Sequence, residues 1–155
     1  MTSTMFNTKE LDDACDVMCE WSHGRYTEFG ELSCWHSTRV AKIVERMCGE
    51  RHATLTAIFH ESFLRGFAAK DDLAFFFGDK VVGDVEKFTV WRKASDKTLQ
   101  PVPKGQSTVH VVAIADVLDG ITTVTQRDTG RREHESRRLA KLSRELFFLC
   151  EQNPM

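Results

Sequence analysis

The sequence predicts an α+β fold, with N-terminal helices, a three-stranded antiparallel sheet and a C-terminal amphipathic basic helix. Three observations lead to this prediction. Apolar residues recur at helical spacing as far as about Ala69. Residues 85–93 alternate between the two faces of an extended chain, and residues 109–118 are rich in β-branched side chains. An Asp119-Gly120 pair, typical of a two-residue hairpin turn, then separates two β-rich runs.

Length and composition indicate a globular protein with a core of its own. The 155 residues are 41% apolar and 28% charged, which is ordinary for a folded domain. We predict a helical region over 1–66 and an α+β region over 67–155, which one compact domain could also contain. The net charge of −2 is unevenly distributed, because residues 127–145 carry seven Lys or Arg against four Asp or Glu. Such a basic stretch favours contact with an anionic polymer.

The cysteine content favours a reducing environment. There are five cysteines, an odd number, and no charged and apolar signal segment precedes them. We therefore expect an intracellular protein, cytoplasmic or in the nucleus or an organelle. The uninterrupted apolar runs, such as residues 73–77, are much shorter than a membrane span, so no membrane partner is predicted.

The first half of the chain predicts three helices, at about residues 7–22, 37–49 and 53–69. Asn7 followed by Glu10 has the pattern of a capping box and starts the first helix. Gly49 stands where a helix ends in the left-handed conformation. The short apolar run that follows the third helix, residues 73–77, fits a buried helix or a buried strand equally well.

The second half predicts the sheet and the last helix. A loop over residues 94–106, which contains two prolines and a glycine, separates the first strand from the second. The strands at 109–118 and 121–125 form the hairpin. Residues 131–151 then form a helix with a wide apolar face and a basic polar face.

The order strand, loop, strand, tight turn, strand, basic helix carries a resemblance to a known family. The stretch Ser136-Arg137-Arg138-Leu139-Ala140-Lys141 and the turn Lys104-Gly105-Gln106 resemble the helix start and the glycine turn of the double-stranded-RNA-binding domain. The resemblance covers roughly residues 88–148.

This resemblance implies an RNA-binding protein that recognises duplex RNA by its shape, through phosphate contacts from the C-terminal helix. RNA binding of this kind would weaken steeply with salt. The sequence carries no decisive catalytic motif, which favours a protein that is not an enzyme but leaves the question open. The residues that the resemblance would place on RNA are Arg137, Arg138, Lys141, Arg144, Arg131, Arg132, Lys104 and Gly105.

Two alternatives remain open. The chain can be a protein-interaction or dimerisation subunit whose last helix docks through Leu139, Leu142, Leu146 and Phe147. It can also be a small pocket-bearing enzyme or binding protein that resembles the nuclear transport factor 2 fold. In that fold His110 and Asp116 would share one face of a strand and could act as an acid–base pair.

Four residues in the first half have the side chains of a zinc site: Cys19, His23, Cys34 and His36. Cysteine is among the most buried residue types, so we interpret the thiols mainly as core residues. The sequence therefore predicts no catalytic residue and no cofactor, with zinc at these four residues as the alternative.

Overall fold

The computed structural model of the protein describes residues 7–126 and 132–152. Within these ranges the chain forms helices and no strand, apart from an isolated bridge between Tyr26 and Leu32. The helices are α1 (Thr8–Trp21), α2 (Ser33–Cys48), α3 (Arg51–Phe59), α4 (Ser62–Arg65), α5 (Lys70–Phe77), α6 (Asp79–Ser95), α7 (Ser107–Gln126) and α8 (Arg132–Gln152).

The predicted α+β class is wrong, and the protein is all-α. Residues 85–93 lie inside α6, and both arms of the predicted hairpin lie inside α7, which continues through Asp119 and Gly120 without a turn. The region 67–155 therefore has no sheet in its described part. The three-stranded sheet of the RNA-binding resemblance and the cone-shaped fold of the nuclear transport factor 2 alternative are both overturned as folds.

The physical reason lies in the burial of α7. This helix packs against α2, α3, α6 and α8. Its apolar residues are therefore distributed around most of its circumference and do not form a single stripe. A helix buried on most sides lacks the 3.6-residue pattern, and burial outweighs the weak β preference of valine and isoleucine. The buried apolar residues of α7 are Val109, Val111, Val112, Ala113, Ile114, Ala115, Val117 and Val124.

Gly120, which the sequence placed in a hairpin turn, lies within α7 and allows another helix to pack closely against it. A Cβ atom at this position would lie 3.3 Å from Cδ1 of Leu142 on α8, which is closer than ordinary van der Waals contact. The absence of a side chain therefore lets α7 and α8 approach closely.

The N-terminal helices follow the predicted pattern in part. The side chain of Asn7 accepts a hydrogen bond from the Glu10 amide at 2.8 Å, which confirms the predicted cap. Gly49 ends α2 with φ of +65°. The predicted third helix is interrupted, because α3 ends at Phe59 and α4 begins at Ser62. The last predicted helix is confirmed as α8.

The span from Ser107 to Thr125 in α7 is long and apolar enough to cross a membrane by length and composition. In this structure 61% of that span is buried inside the protein. Helices from both sides of residue 66 contribute to the same core, since α2 and α3 contact α7 and α3 also contacts α6. Burial of α7 also brings polar residues of this helix, His110 and Asp119 among them, into the interior of the protein.

Candidate functional site

Three segments of the chain place acidic and histidine side chains around one point in the interior. His36 lies on the first turn of α2, and His60 and Glu61 occupy the break between α3 and α4. Asp116 and Asp119 lie on α7, three residues apart and therefore on one face of it. Because α2, α3 and α7 pack together, these side chains converge.

The cluster formed by His36, His60, Glu61 and Asp116 has the dimensions of a metal site. His36 Nε2 lies 2.9 Å from Asp116 Oδ1 and 3.4 Å from Glu61 Oε1. His60 Nε2 lies 3.4 Å from Asp116 Oδ1 and 3.8 Å from Glu61 Oε1. One donor atom from each of the four residues lies within 4.8 Å of the others. Metal–ligand bonds to nitrogen and oxygen are about 2.0–2.2 Å long, so a single ion fits among these atoms.

The ring of His60 is oriented as a metal ligand would be. His60 is fully buried, and its Nδ1 lies 2.5 Å from the carbonyl oxygen of Ala57. With Nδ1 protonated for this hydrogen bond, the lone pair of Nε2 would be available to a bound metal ion in place of a proton. His60 Nε2 is buried without a hydrogen-bond partner and faces the two carboxylates. Metal-binding histidines are commonly held in this way by a carbonyl at the other ring nitrogen.

Histidine and carboxylate side chains of the cluster shift one another's pKa values in opposite directions. Burial alone would lower the pKa of His36, but hydrogen bonds to Asp116, Asp119 and Glu61 raise it well above its ordinary value. Burial alone would raise the pKa of Glu61, but the hydrogen bond to His36 and the charges of His60 and His36 lower it to about 2. The pKa of Asp116 is held well below its usual range for the same reasons. The site thus keeps its carboxylates ionised and attracts positive charge.

Three residues of the cluster, His36, Glu61 and Asp116, line a cavity of about 330 Å³. Its lining combines three arginines and several apolar side chains with four carboxylates, those of Glu28, Glu61, Asp116 and Asp119. Arginine is the side chain best suited to bind a phosphate or carboxylate group of an organic ligand. The arginines of the lining are Arg65, Arg92 and Arg138, and its apolar residues include Phe29, Phe88 and Leu142.

Each of the three arginines is fixed by a different contact. Arg92 pairs with Glu145 of α8 at 2.5 Å, and its Nη2 lies 3.9 Å from Asp116 Oδ2. Arg65 donates to Glu61 Oε2 at 3.3 Å. Arg138 pairs with Glu28 and lies over the ring of Phe29. Arg65 and Arg92 therefore each lie beside one carboxylate of the cluster, Arg65 at Glu61 and Arg92 at Asp116.

Two imidazoles and two carboxylates form a mixed donor set. Imidazole suits zinc, iron, copper and nickel, whereas carboxylate also suits manganese and magnesium. A divalent ion at such a site can polarise a substrate oxygen and make a bound water more acidic. The arrangement is therefore suited to hydrolysis.

The residues that the RNA resemblance singled out are not brought together at this site. Arg137, Lys141 and Arg144 are exposed on α8, whereas Arg138 lines the cavity. Lys104 and Gly105 lie in the loop before α7. Arg131 and the side chain of Arg132 lie outside the described residues.

Of the four predicted zinc candidates, only His36 belongs to the cluster. Cys19 and Cys34 contact each other, and burial together with that contact raises the pKa of Cys19 to about 12. His23 is exposed. His110, predicted as a partner of Asp116, is buried elsewhere with Nε2 2.6 Å from the Leu149 carbonyl.

Sequence reasoning missed His60 and Glu61, and it assigned Asp119 to a turn. Two signals could have identified these residues. A His-Glu pair ends the apolar stretch of α3, and two aspartates three residues apart interrupt the most apolar stretch of the chain. Charged residues are almost never fully buried unless they are paired, so their presence in a core helix indicates a function or a partner.

The fold and the site together define a class: an all-α protein with a buried histidine–carboxylate cluster at the wall of an arginine-lined cavity. No protein-family model matches the chain, and no curated protein matches it either.

The metal-free protein is expected to be most stable between about pH 4.5 and 6.5. The pKa of Glu61 falls from 4.5 to about 2 on folding, so its contribution is lost as the pH drops from 4.5 towards 2. His36, whose ordinary pKa of 6.5 is raised, contributes fully below 6.5, and its contribution is lost as the pH rises through the raised value. Urea unfolding in the presence of a chelator measures this profile. A His36→Gln variant with the same decline above pH 6.5 as the wild type would contradict the assignment.

Proposed function

We propose that this protein is a hydrolase that cleaves phosphate esters with one divalent metal ion held by His36, His60, Glu61 and Asp116. The observation that carries the proposal is the convergence of these four donors within 4.8 Å of one another, three of them in the lining of a cavity that also contains three arginines. Ordinary core packing gives no reason to bury two histidines and two carboxylates together.

The donor set supports a divalent metal ion. His60 presents an unpartnered buried nitrogen to the carboxylates, and both carboxylates stay ionised. A divalent cation would compensate these charges more strongly than the imidazoles alone. When bound, it would supply a Lewis acid and a more acidic water.

The arginines support phosphate as the reacting group. A guanidinium matches the oxygens of a phosphate in geometry and charge, and three of them line this cavity. Arg92 lies next to Asp116, so an oxygen of a phosphate bound at the cluster would come within its reach. Glu145 holds Arg92 at 2.5 Å and so fixes the position of that charge before the substrate binds. Fixed charges of this kind stabilise the negative charge that develops in the transition state.

The apolar lining has its own role. Phe29, Phe88 and Leu142 line the same cavity and offer contact area for the organic part of an ester. They also reduce the water around the reacting groups, which strengthens electrostatic interactions there. The residues thus divide into those that bind the ion, those that bind the phosphate and those that exclude water.

The purified protein is expected to hydrolyse p-nitrophenyl phosphate or bis-p-nitrophenyl phosphate with Mn²⁺, Co²⁺, Zn²⁺ or Mg²⁺, and not after treatment with a chelator. The carboxylic ester p-nitrophenyl acetate is the control substrate. Arg92→Gln is expected to reduce kcat/KM for the phosphate ester by roughly 10²–10³-fold, as loss of one transition-state contact does. Arg144→Gln, an exposed arginine on α8, is the matched control. The absence of hydrolysis of both phosphate esters with all four metals would contradict the proposal.

The two other functions predicted from the sequence, duplex RNA binding and partner docking, gain no support from the structure. Duplex RNA binding remains a prediction without support, because the sheet that the resemblance required is absent from the described residues. Docking of a partner through α8 also remains a prediction. Leu142 of that face is buried, Leu139 and Leu146 pack partly on the core, and Phe147 is 65% exposed. Most of the face is thus used within the chain.

A further inference from the structure

His36 has a second partner on the side that faces away from the four-donor cluster. Its Nε2 faces Asp116, whereas its Nδ1 lies 2.7 Å from Oδ2 of Asp119. A histidine that binds a metal through Nε2 must carry its proton on Nδ1 and donate it to an acceptor. Asp119 is placed to be that acceptor, and its side chain is only 3% exposed.

Asp119 is in turn held by an arginine. Arg39 donates from Nε to Oδ1 of Asp119 at 2.6 Å and from Nη2 to Oδ2 at 3.0 Å. The other edge of the same guanidinium donates to both oxygens of Glu31, at 2.9 and 2.5 Å. Bidentate pairs of this kind fix orientation as well as charge. The guanidinium is therefore fixed between two carboxylates.

The side chains of α2 and α7 that pair with one another form two adjacent layers, as helix geometry requires. His36 and Arg39 are three residues apart on α2, and Asp116 and Asp119 are three residues apart on α7, which packs against α2. Residues at this spacing lie on one face of a helix. The inner layer pairs His36 with Asp116, and the outer layer pairs Arg39 with Asp119.

The outer layer could itself be mistaken for a second metal site. Donor atoms of Glu31, His36 and Asp119 also lie within 4.8 Å of one another. The Arg39 guanidinium already contacts both of these carboxylates and supplies the positive charge that a cation would bring. A second divalent ion there would have to displace it.

We propose that Asp119, fixed by Arg39 and Glu31, is a positioning residue that holds His36 with Nε2 towards the cluster, and that Arg39 takes the place of a second ion. The inference rests on the proposed metal site and adds its stoichiometry and its outer partners. The protein then binds one ion per chain. Asp119 and Arg39 act on the ion through His36, and neither belongs to the four donors of the cluster.

The test titrates Co²⁺ into the wild type and four variants while the visible absorption of the bound ion is recorded. Asp119→Ala and Arg39→Met are expected to weaken Co²⁺ affinity by roughly 10- to 100-fold, which is the usual effect of losing an outer partner of a ligand. They should also change the spectrum of the bound ion. Asp119→Asn keeps an oxygen acceptor and is expected to bind more tightly than Asp119→Ala. It also serves as the test variant if Asp119→Ala does not fold.

Arg51→Met is the matched control. Arg51 pairs with Glu10 at 2.6 Å, has an exposure similar to that of Arg39, and links α3 to α1 away from the site. This variant is expected to bind Co²⁺ as the wild type does, with one ion per chain and the same spectrum.

Each result has a distinct meaning. Unchanged affinity and spectrum in both the Asp119 and Arg39 variants would overturn the positioning role, while the proposed metal site would stand. Two ions bound per wild-type chain with similar affinity would overturn the single-ion stoichiometry. A wild type that binds no Co²⁺ would overturn the proposed function, and this inference with it.

Discussion

Asp116→Asn is expected to weaken divalent-ion affinity by more than the roughly 10- to 100-fold that loss of an outer partner costs. Asp116 is the residue that links the cluster, since its Oδ1 lies 2.9 Å from His36 Nε2 and 3.4 Å from His60 Nε2. The amide keeps the size of the side chain but removes its charge. Hydrolysis of phosphate esters should fall at least as far, because under the proposed function the ion would supply the main electrostatic stabilisation. Calorimetric titration and steady-state kinetics measure the two effects.

Asp84→Asn provides the matched control for this substitution. Asp84 lies on α6, is more deeply buried than Asp116, and forms an ion pair with Lys80 at 3.2 Å outside the cluster. Its removal is expected to leave ion affinity unchanged, whatever it does to stability. Equal losses of affinity in the two variants would show that burial of a carboxylate in general, and not the cluster, is responsible.

Saturation with the correct metal ion is expected to stabilise the fold by about 4 kcal/mol when the free ion exceeds its Kd by about 1,000-fold. For a chain of this size the midpoint of thermal unfolding should rise by roughly 10 °C. The donors come from α2, from the α3–α4 break and from α7, so the unfolded chain does not bring them together. A ligand that binds the folded state alone shifts the equilibrium towards it.

Thermal unfolding followed by circular dichroism, with each metal and with a chelator, measures this shift. His36→Gln is expected to show little of the increase, whereas Asp84→Asn should keep it. Wild-type protein that carries one ion by elemental analysis but unfolds at the same temperature with a chelator would contradict the prediction. In that case the ion would bind the folded and the unfolded chain equally well, and its site would not depend on the packing of α2, α3 and α7.

Local sequence signals were reliable where local physics decides the structure. The cap at Asn7 depends on one side chain and an amide three residues away, and the structure has that hydrogen bond. The left-handed Gly49 at the end of α2 is a property of one residue. The amphipathic α8 follows from a pattern that repeats along one segment.

The prediction of a sheet failed where tertiary burial decides the structure. Asp119-Gly120 has the composition of a hairpin turn, but both residues lie within α7. Asp119 is there because it accepts hydrogen bonds from Arg39 and faces His36, and Gly120 because α8 packs closely at Leu142. Neither partner is near them in sequence.

The sequence by itself determined a helical first half, a basic final helix and the local signals that begin and end individual helices. Only the tertiary structure decided that residues 85–93 and 109–125 are helical, since the burial of α7 on most sides removes the pattern that would have shown it. The tertiary structure also created the site, because its donors come from α2, the α3–α4 break and α7, and because His36 and its partner Asp119 are 83 residues apart in the chain. Their meeting depends on the packing of α2, α3 and α7, which is a property of the whole core and not of any one segment.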